Sequence, residues 1–528
     1  MAETERLPGD ERPTGLSELA ALSKARPGLP ERPEAPPARP PAGPADALPP
    51  RAEALVRAAW VLTVGPAGDV EDGAVHMRDG EIVAVGPYAE LRAELPAVPV
   101  FGDGTGLLIP GLVDAHTRMS EALLSGLGSE LMPAERDDRI AVPTAGALTV
   151  DDARAGTKLR AVELLLSGVT TVNDLFTHSN RDEFASLGVV EGLRDAGLRG
   201  LVAFGPRDAV PGDAWADVAR ILAEHRELAR VTLSAAAAGA TIGFRYGVGA
   251  PLGQSDELLE AGVEACRARG WAVHTRLAET REELAASSLR WGERTVAHVS
   301  RLGLLELPTL AAHGVWLTEG DVAVLAEAGV AIAHTPVSDL AHAGGTCPVP
   351  RLLAAGVPVG IATGGATAGS QDMLQAVRMA ALAAKAQALD PAVLSAGDVL
   401  RMATLGGARA LGLDHLIGSL EPGKRADLVL LQDTGCVAVL HDPGAQLVHG
   451  ASPRAVRDVW VDGRRVVADH VCVTVDEHDQ IVRARVLASY LAAVSGLSGA
   501  GLSRLPATRE RRRPIVTSAP RRPGPDSA

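Results

Sequence analysis

Short apolar runs alternate with longer stretches whose apolar positions recur at helical spacing through the middle of this chain. The runs Leu107–Ala115, Gly168–Asn173, Leu198–Phe204, Val231–Ala238, Trp271–Leu277, Thr309–Leu317, Val330–His334 and Val357–Thr363 predict strands. Between them, Asp152–Ser167, Ser255–Arg269 and Glu319–Ala328 predict amphipathic helices. Eight strand–helix units over roughly 300 residues predict a (β/α)8 TIM-type barrel at 107–417. A doubly wound open sheet would instead carry a GxGxxG turn after an early strand, and no such turn is present.

The flanks follow a different pattern. Asp79-Gly80 separates Val75–Met77 from Glu81–Val85, and Asp462-Gly463 separates Val459–Val461 from Arg464–Val467. Asp-Gly suits the type I′ turn of a two-residue hairpin. The two hairpins predict one small β-sandwich domain assembled from 51–106 and 418–480, followed by a helix over 481–497. Residues 1–50, with a polyproline-like stretch at Pro36–Pro50, read as a disordered, solvated leader, with a docking tail as the alternative. Residues 498–528, with the run Arg511–Arg513, read as a second disordered tail.

Composition narrows the partners. Hydrophobic residues make up 46% of the 528 and aromatics only 3%, so Leu, Val and Ala must build a large core. A net charge of −14 disfavours nucleic acid or an anionic membrane as partner. Cys266, Cys347, Cys436 and Cys472 lie far apart with no CxxC pair, which fits a reducing compartment. No signal peptide and no bilayer-spanning run is read, so a cytoplasmic location is expected.

In a (β/α)8 barrel the reactive groups stand at the C-terminal ends of the strands. Those ends read Pro110-Gly111-Leu112-Val113-Asp114-Ala115-His116-Thr117-Arg118, then His274-Thr275-Arg276-Leu277-Ala278-Glu279, Ala312-His313-Gly314 and Thr363-Gly364-Gly365. With Gly168-Val169-Thr170-Thr171, His334-Thr335-Pro336 and Gly418-Ser419-Leu420-Glu421-Pro422-Gly423-Lys424-Arg425-Ala426-Asp427-Leu428, the series resembles the amidohydrolase superfamily. The branch it is most similar to holds the cytosine, guanine and adenosine-type deaminases and the triazine hydrolases. The resemblance implies hydrolysis of a carbon–nitrogen bond in a heterocyclic amine. It implies one divalent metal, zinc or iron, that activates water.

Position by position, the resemblance keeps His116 as the first metal ligand. It puts Arg118 and Arg276 at two further ligand positions and Gly364 in place of the strand-eight aspartate. Gly249 replaces a histidine, and Asp339 follows Ser338 where asparagine is frequent. Glu279 and His313 keep the proton-transfer positions. A catalytic zinc needs three protein ligands and an open position. Guanidinium has no lone pair and stays protonated. No metal cofactor is therefore expected, and the site is degenerate. A relocated metal on His116, His274 and His313 is the alternative. Side chains at i and i+2 of a strand share a face, so His116, Arg118, His274 and Arg276 are expected to point together into the mouth. Two guanidiniums ~6 Å apart would repel by about 3 kcal/mol at an effective dielectric near 20. Glu279, Asp174 or a bound anion are the candidate counter-charges. Glu279 and His313 are thus candidate catalytic residues, and Arg118, Arg276, His274 and Trp316 candidate ligand-binding residues. The expected partner is an anionic or heterocyclic small molecule. The chain is expected to be either an enzyme with altered chemistry or a silent pseudoenzyme, as a homo-oligomer or a mixed oligomer with an active homologue.

Overall fold

The structure is a computed structural model that describes residues 32, 48–51, 53–209, 217–365, 371–432, 435 and 437–497. In chain order its strands are β1 (Ala54–Val61), β2 (Val70–Arg78), β3 (Glu81–Pro87), β4 (Val100–Phe101), β5 (Leu107–Pro110), β6 (Leu112–Arg118), β7 (Val169–Phe176), β8 (Arg199–Phe204), β9 (Ile242–Phe244), β10 (Tyr246–Gly249), β11 (Val273–Leu277), β12 (Thr309–His313), β13 (Ala331–His334), β14 (Val359–Ile361), β15 (Gly364–Gly365), β16 (Leu428–Leu431), β17 (Val456–Val461), β18 (Arg464–Ala468) and β19 (Val471–Cys472).

The central strands form two parallel arcs, β15-β6-β7-β8-β9 and β10-β11-β12-β13-β14. The arcs join through the chain itself. Only Arg245 separates β9 from β10, and only Ala362 and Thr363 separate β14 from β15. At one seam the buried ring of His225 stands in for the missing ladder. Its Nε2 is 3.1 Å from the carbonyl oxygens of both Phe204 and Gly247.

The flanks build a second, nine-stranded sheet in the order β19-β18-β17-β16-β5-β1-β2-β3, with β4 beside β1. Both Asp-Gly turns have left-handed φ at each residue, +54° and +84° at Asp79 and Gly80, +54° and +73° at Asp462 and Gly463, as type I′ requires. Buried ion pairs fasten this sheet to the arcs. Asp427 takes two bonds from the Arg199 guanidinium, at 3.0 and 3.2 Å, and one from the Asp462 amide at 2.8 Å. This explains the Lys-Arg-Ala-Asp segment in physical terms, since Arg425 also pairs with Asp462.

Several sequence expectations need correction. Val231–Ala238 is the end of a helix, Val218–Ala237, capped by the Asp217 carboxylate on the Arg220 amide. The fourth strand lies later, in β9 and β10. Leu107–Ala115 is two strands broken at Gly111, and β5 pairs with β1 and β16 of the flank sheet. The parallel arc therefore takes up the chain at Leu112. The C-terminal helix spans Glu477–Val494, earlier than expected. Within the leader, Arg32 donates to Thr149 Oγ1 at 2.8 Å and to Asp152 Oδ1 at 3.0 Å, so this residue is docked rather than solvated. The rest of 1–47, Cys436 and the 498–528 tail lie outside the described residues.

Candidate active site

His116 near the end of β6, His274 near the start of β11 and His313 at the end of β12 come together. The His116 ring centre is 5.0 Å from that of His274 and 5.6 Å from that of His313. His116 Nδ1 and His274 Nε2 are 2.9 Å apart, a hydrogen bond between two imidazoles. Burial, then neighbouring positive charge, drives both rings well below the ordinary histidine pKa, so both are neutral. Asp114 accepts from the Thr363 amide at 3.0 Å and from the His116 amide at 3.3 Å, and so braces the end of β6 from below.

His313 closes β12 in a left-handed conformation, φ +75°. Its Nδ1 lies 2.8 Å from Asp339 Oδ1 and 3.0 Å from Thr335 Oγ1. Its Nε2 faces Glu279 Oε1 at 3.7 Å. Burial opposes the charged ring, but Glu279 and Asp339 outweigh it and raise its pKa.

Arg118 and Arg276 both line a narrow cleft of about 30 Å³, with Glu121, Asp137, Arg207 and Gly249 among its walls. Each arginine is paired with the glutamate three residues on. Arg118 Nη1 is 2.6 Å from Glu121 Oε1, and Arg276 Nη1 is 3.0 Å from Glu279 Oε2. Glu121 also accepts from Arg136 at 2.9 Å, and Asp137 lies 3.4 Å from both Arg136 and Arg207. Burial pushes the two glutamates up, but the facing cations win. Arg118 and Arg136 hold Glu121 at a pKa of about 2. His313, Arg276 and Arg118 hold Glu279 at about 2.

Glu121 is the residue the sequence reading missed. The signal was present, because both copies of His-Thr-Arg extend to His-Thr-Arg-x-x-Glu, at 116–121 and 274–279. Asp174, the other candidate counter-charge, does not serve. It accepts from the Met119 amide at 2.7 Å, and burial raises its pKa to about 8, so it is protonated near neutrality. Trp316 does not line the cleft. Its indole donates to Gly344 O at 2.8 Å, and its ring lies under Arg281.

A catalytic metal does not fit this donor set. Two ligand positions hold guanidiniums already paired with carboxylates. At the third, Gly364 has φ +75°, and a Cβ there would stand 2.8 Å from Ser338 Cβ. Among the described residues no group of three or more His, Cys, Asp or Glu side chains is arranged to hold a metal ion. His116 and His274 engage one another through one ring nitrogen each, which leaves His116 Nε2, His274 Nδ1 and His313 Nε2 buried without a hydrogen-bond partner among the described residues.

Comparison with known proteins shows the lineage. The Amidohydrolase family model matches residues 107–466. A 5-methylthioadenosine/S-adenosylhomocysteine deaminase from Desulforudis audaxviator is 38% identical over 80% of this chain and 95% of its own length. A 5'-deoxyadenosine deaminase from Methanosarcina mazei is 32% identical over 84% and 99%. The crystal structure of an adenosine deaminase from Xanthomonas campestris with bound zinc superposes with a TM-score of 0.72 at 32% identity, covering 83% of this chain and 98% of that one. Arthrobacter aurescens atrazine chlorohydrolase, at 24% identity and TM-score 0.71 over 83% and 99%, shares the fold. A match that spans the parallel strands and runs on into the flank sheet, with relatives aligned over four-fifths of the chain, makes this protein a member of the amidohydrolase family, whose fold is the TIM barrel.

Proposed function

We propose that this chain is a metal-free member of the deaminase branch, one that binds a heterocyclic or anionic small molecule without hydrolysing a carbon–nitrogen bond. The two parallel arcs are read as one closed (β/α)8 barrel, and the flank sheet as the family's small β-sandwich domain. The observation that carries the reading is the pair of Arg–Glu contacts at two metal-ligand positions, 2.6 and 3.0 Å long.

The same contacts weaken acid–base chemistry. A general base works best with a pKa near the operating pH. Glu279, held at about 2, has little affinity for a proton at neutrality. His313 is tied to Asp339 and faces Glu279, so the pair is a standing ion pair rather than a proton relay. Cys266, Cys347 and Cys472 are free thiols, which supports a reducing, cytoplasmic setting. No helix among the described residues is long and apolar enough to cross a membrane.

The test is an ammonia-release assay with adenosine, 5'-deoxyadenosine, 5-methylthioadenosine and S-adenosylhomocysteine. No release above background is expected, where typical enzymes turn over at about 1 s⁻¹ or faster. Turnover abolished by a chelator would overturn the reading. Turnover indifferent to chelators would instead make Glu279 and His313 proton carriers, with Arg118 and Arg276 stabilising negative charge.

A further inference from the structure

Among the described residues lining the cleft over Arg118 and Arg276, guanidiniums outnumber carboxylates three to two. The guanidiniums are those of Arg118, Arg207 and Arg276, while Arg136 pairs with Glu121 and Asp137. The carboxylates paired with them among the described residues are Glu121, Asp137 and Glu279. His313 and Asp339 balance one another.

The two central arginines have donors to spare. Each commits Nη1 to its own glutamate, and no other hydrogen bond of either guanidinium falls within the described residues. A guanidinium presents five N–H donors in a fixed fork that matches an oxyanion. Arg118 and Arg276 also repel one another, which burial aggravates. One shared anion between them would relieve that repulsion and use the idle donors.

We propose that Arg118 and Arg276 bridge a small oxyanion, a carboxylate or a phosphate, at the place where the metal of zinc-binding relatives would sit. This rests on the metal-free reading and names the ligand chemistry of that site. The family's positive charge is kept there, but as two fixed guanidiniums that recognise an anion instead of an ion that activates water. Arg207 also lines the cleft and adds a third guanidinium to its walls.

The experiment uses the full-length protein, with its metal content measured on the same sample. Acetate and inorganic phosphate are titrated by calorimetry at constant ionic strength, with chloride as control. Saturable binding of one anion per chain is expected, with acetate affinity flat from about pH 6 to 9 because arginine does not titrate there. Stronger binding of acetate than of phosphate marks a carboxylate site, and the reverse a phosphate site. Arg276→Gln is expected to weaken binding by about tenfold or more. Arg118→Lys keeps the charge, removes the fork and tests the same point if the first variant does not fold. Arg230→Gln, on an exposed helix face, is expected to change nothing. No saturable binding of either anion, or binding untouched by Arg276→Gln and Arg118→Lys, overturns the inference. Acetate binding lost above pH 7 assigns it to an imidazolium and also overturns it. A metal-free protein that binds no anion sinks this inference alone, whereas a full complement of metal sinks the reading beneath it.

Discussion

Arg118 and Glu121 form a buried ion pair 2.6 Å long, three residues apart at the mouth of the first barrel strand. Arg276 and Glu279 repeat it at the fifth strand, 3.0 Å long. Neither arginine could be tolerated there alone, because an unpaired buried charge is far more costly than a satisfied one. Glu121→Gln is therefore expected to destabilise the fold by about 3–5 kcal/mol, and Arg118→Met combined with Glu121→Leu by less than the sum of its two single variants, the remaining cost coming from the Arg136 contact that Glu121 also makes. Urea unfolding of Arg118→Met, of Glu121→Leu and of the double variant measures the coupling. A double variant as unstable as the sum of the singles would show that the pair is not an energetic unit.

The site's carboxyl groups predict an acid-shifted stability optimum. Glu121 and Glu279 have folded pKa values of about 2, below the ordinary value of 4.5. Their stabilisation, about 3 kcal/mol each, is present above pH 4.5 and lost as pH falls through 2. Asp114 and Asp174 behave oppositely, with burial raising them to about 7 and 8 from 3.8. Their contribution is full below 3.8 and lost as pH rises through the folded values, on the order of 4 kcal/mol per group by pH 7. Stability is expected to peak near pH 4–5 and fall toward pH 8, and Asp174→Asn should flatten that fall. Unfolding midpoints at several pH values check this, and an unchanged slope in Asp174→Asn would refute it.

Restoring the replaced donors alone is expected not to restore metal binding. Arg118→His, Arg276→His and Gly364→Asp supply three ligands on paper. Yet the backbone at Gly364 is left-handed, and Ser338 Cβ occupies the space an added Cβ would need. Glu121 would also lose its Arg118 partner. The triple variant is expected to bind well under one zinc per chain after dialysis. Adding Ser338→Gly and Glu121→Leu is expected to raise the occupancy. Full occupancy in the triple variant would show that the end of strand eight yields freely.

How much of this was legible in the sequence depended on the range of the signal. The paired Asp-Gly hairpins and the repeated His-Thr-Arg motifs are local and read directly. Val231–Ala238 misled because a short apolar run does not distinguish a strand from the end of a helix, and its cap, Asp217, lies well upstream. The true fourth strand, Ile242–Gly249, carries three glycines and a buried arginine, so it lacked strand character. Asp174 and Glu121 exchanged roles for a three-dimensional reason. Asp174 points to the Met119 amide, while Glu121, on the turn just past Arg118, folds back onto it. Trp316 looked like a mouth residue by position, but its indole serves the loop at Gly344.

The proposed metal-free site rests on the Arg118–Glu121 and Arg276–Glu279 pairs. Elemental analysis of the full-length protein, purified without chelators from zinc- and iron-supplemented cultures, tests it most directly. The account predicts far less than one equivalent of any transition metal per chain, unchanged by later incubation with zinc. A value near one metal per chain, lost in His116→Ala, would contradict it.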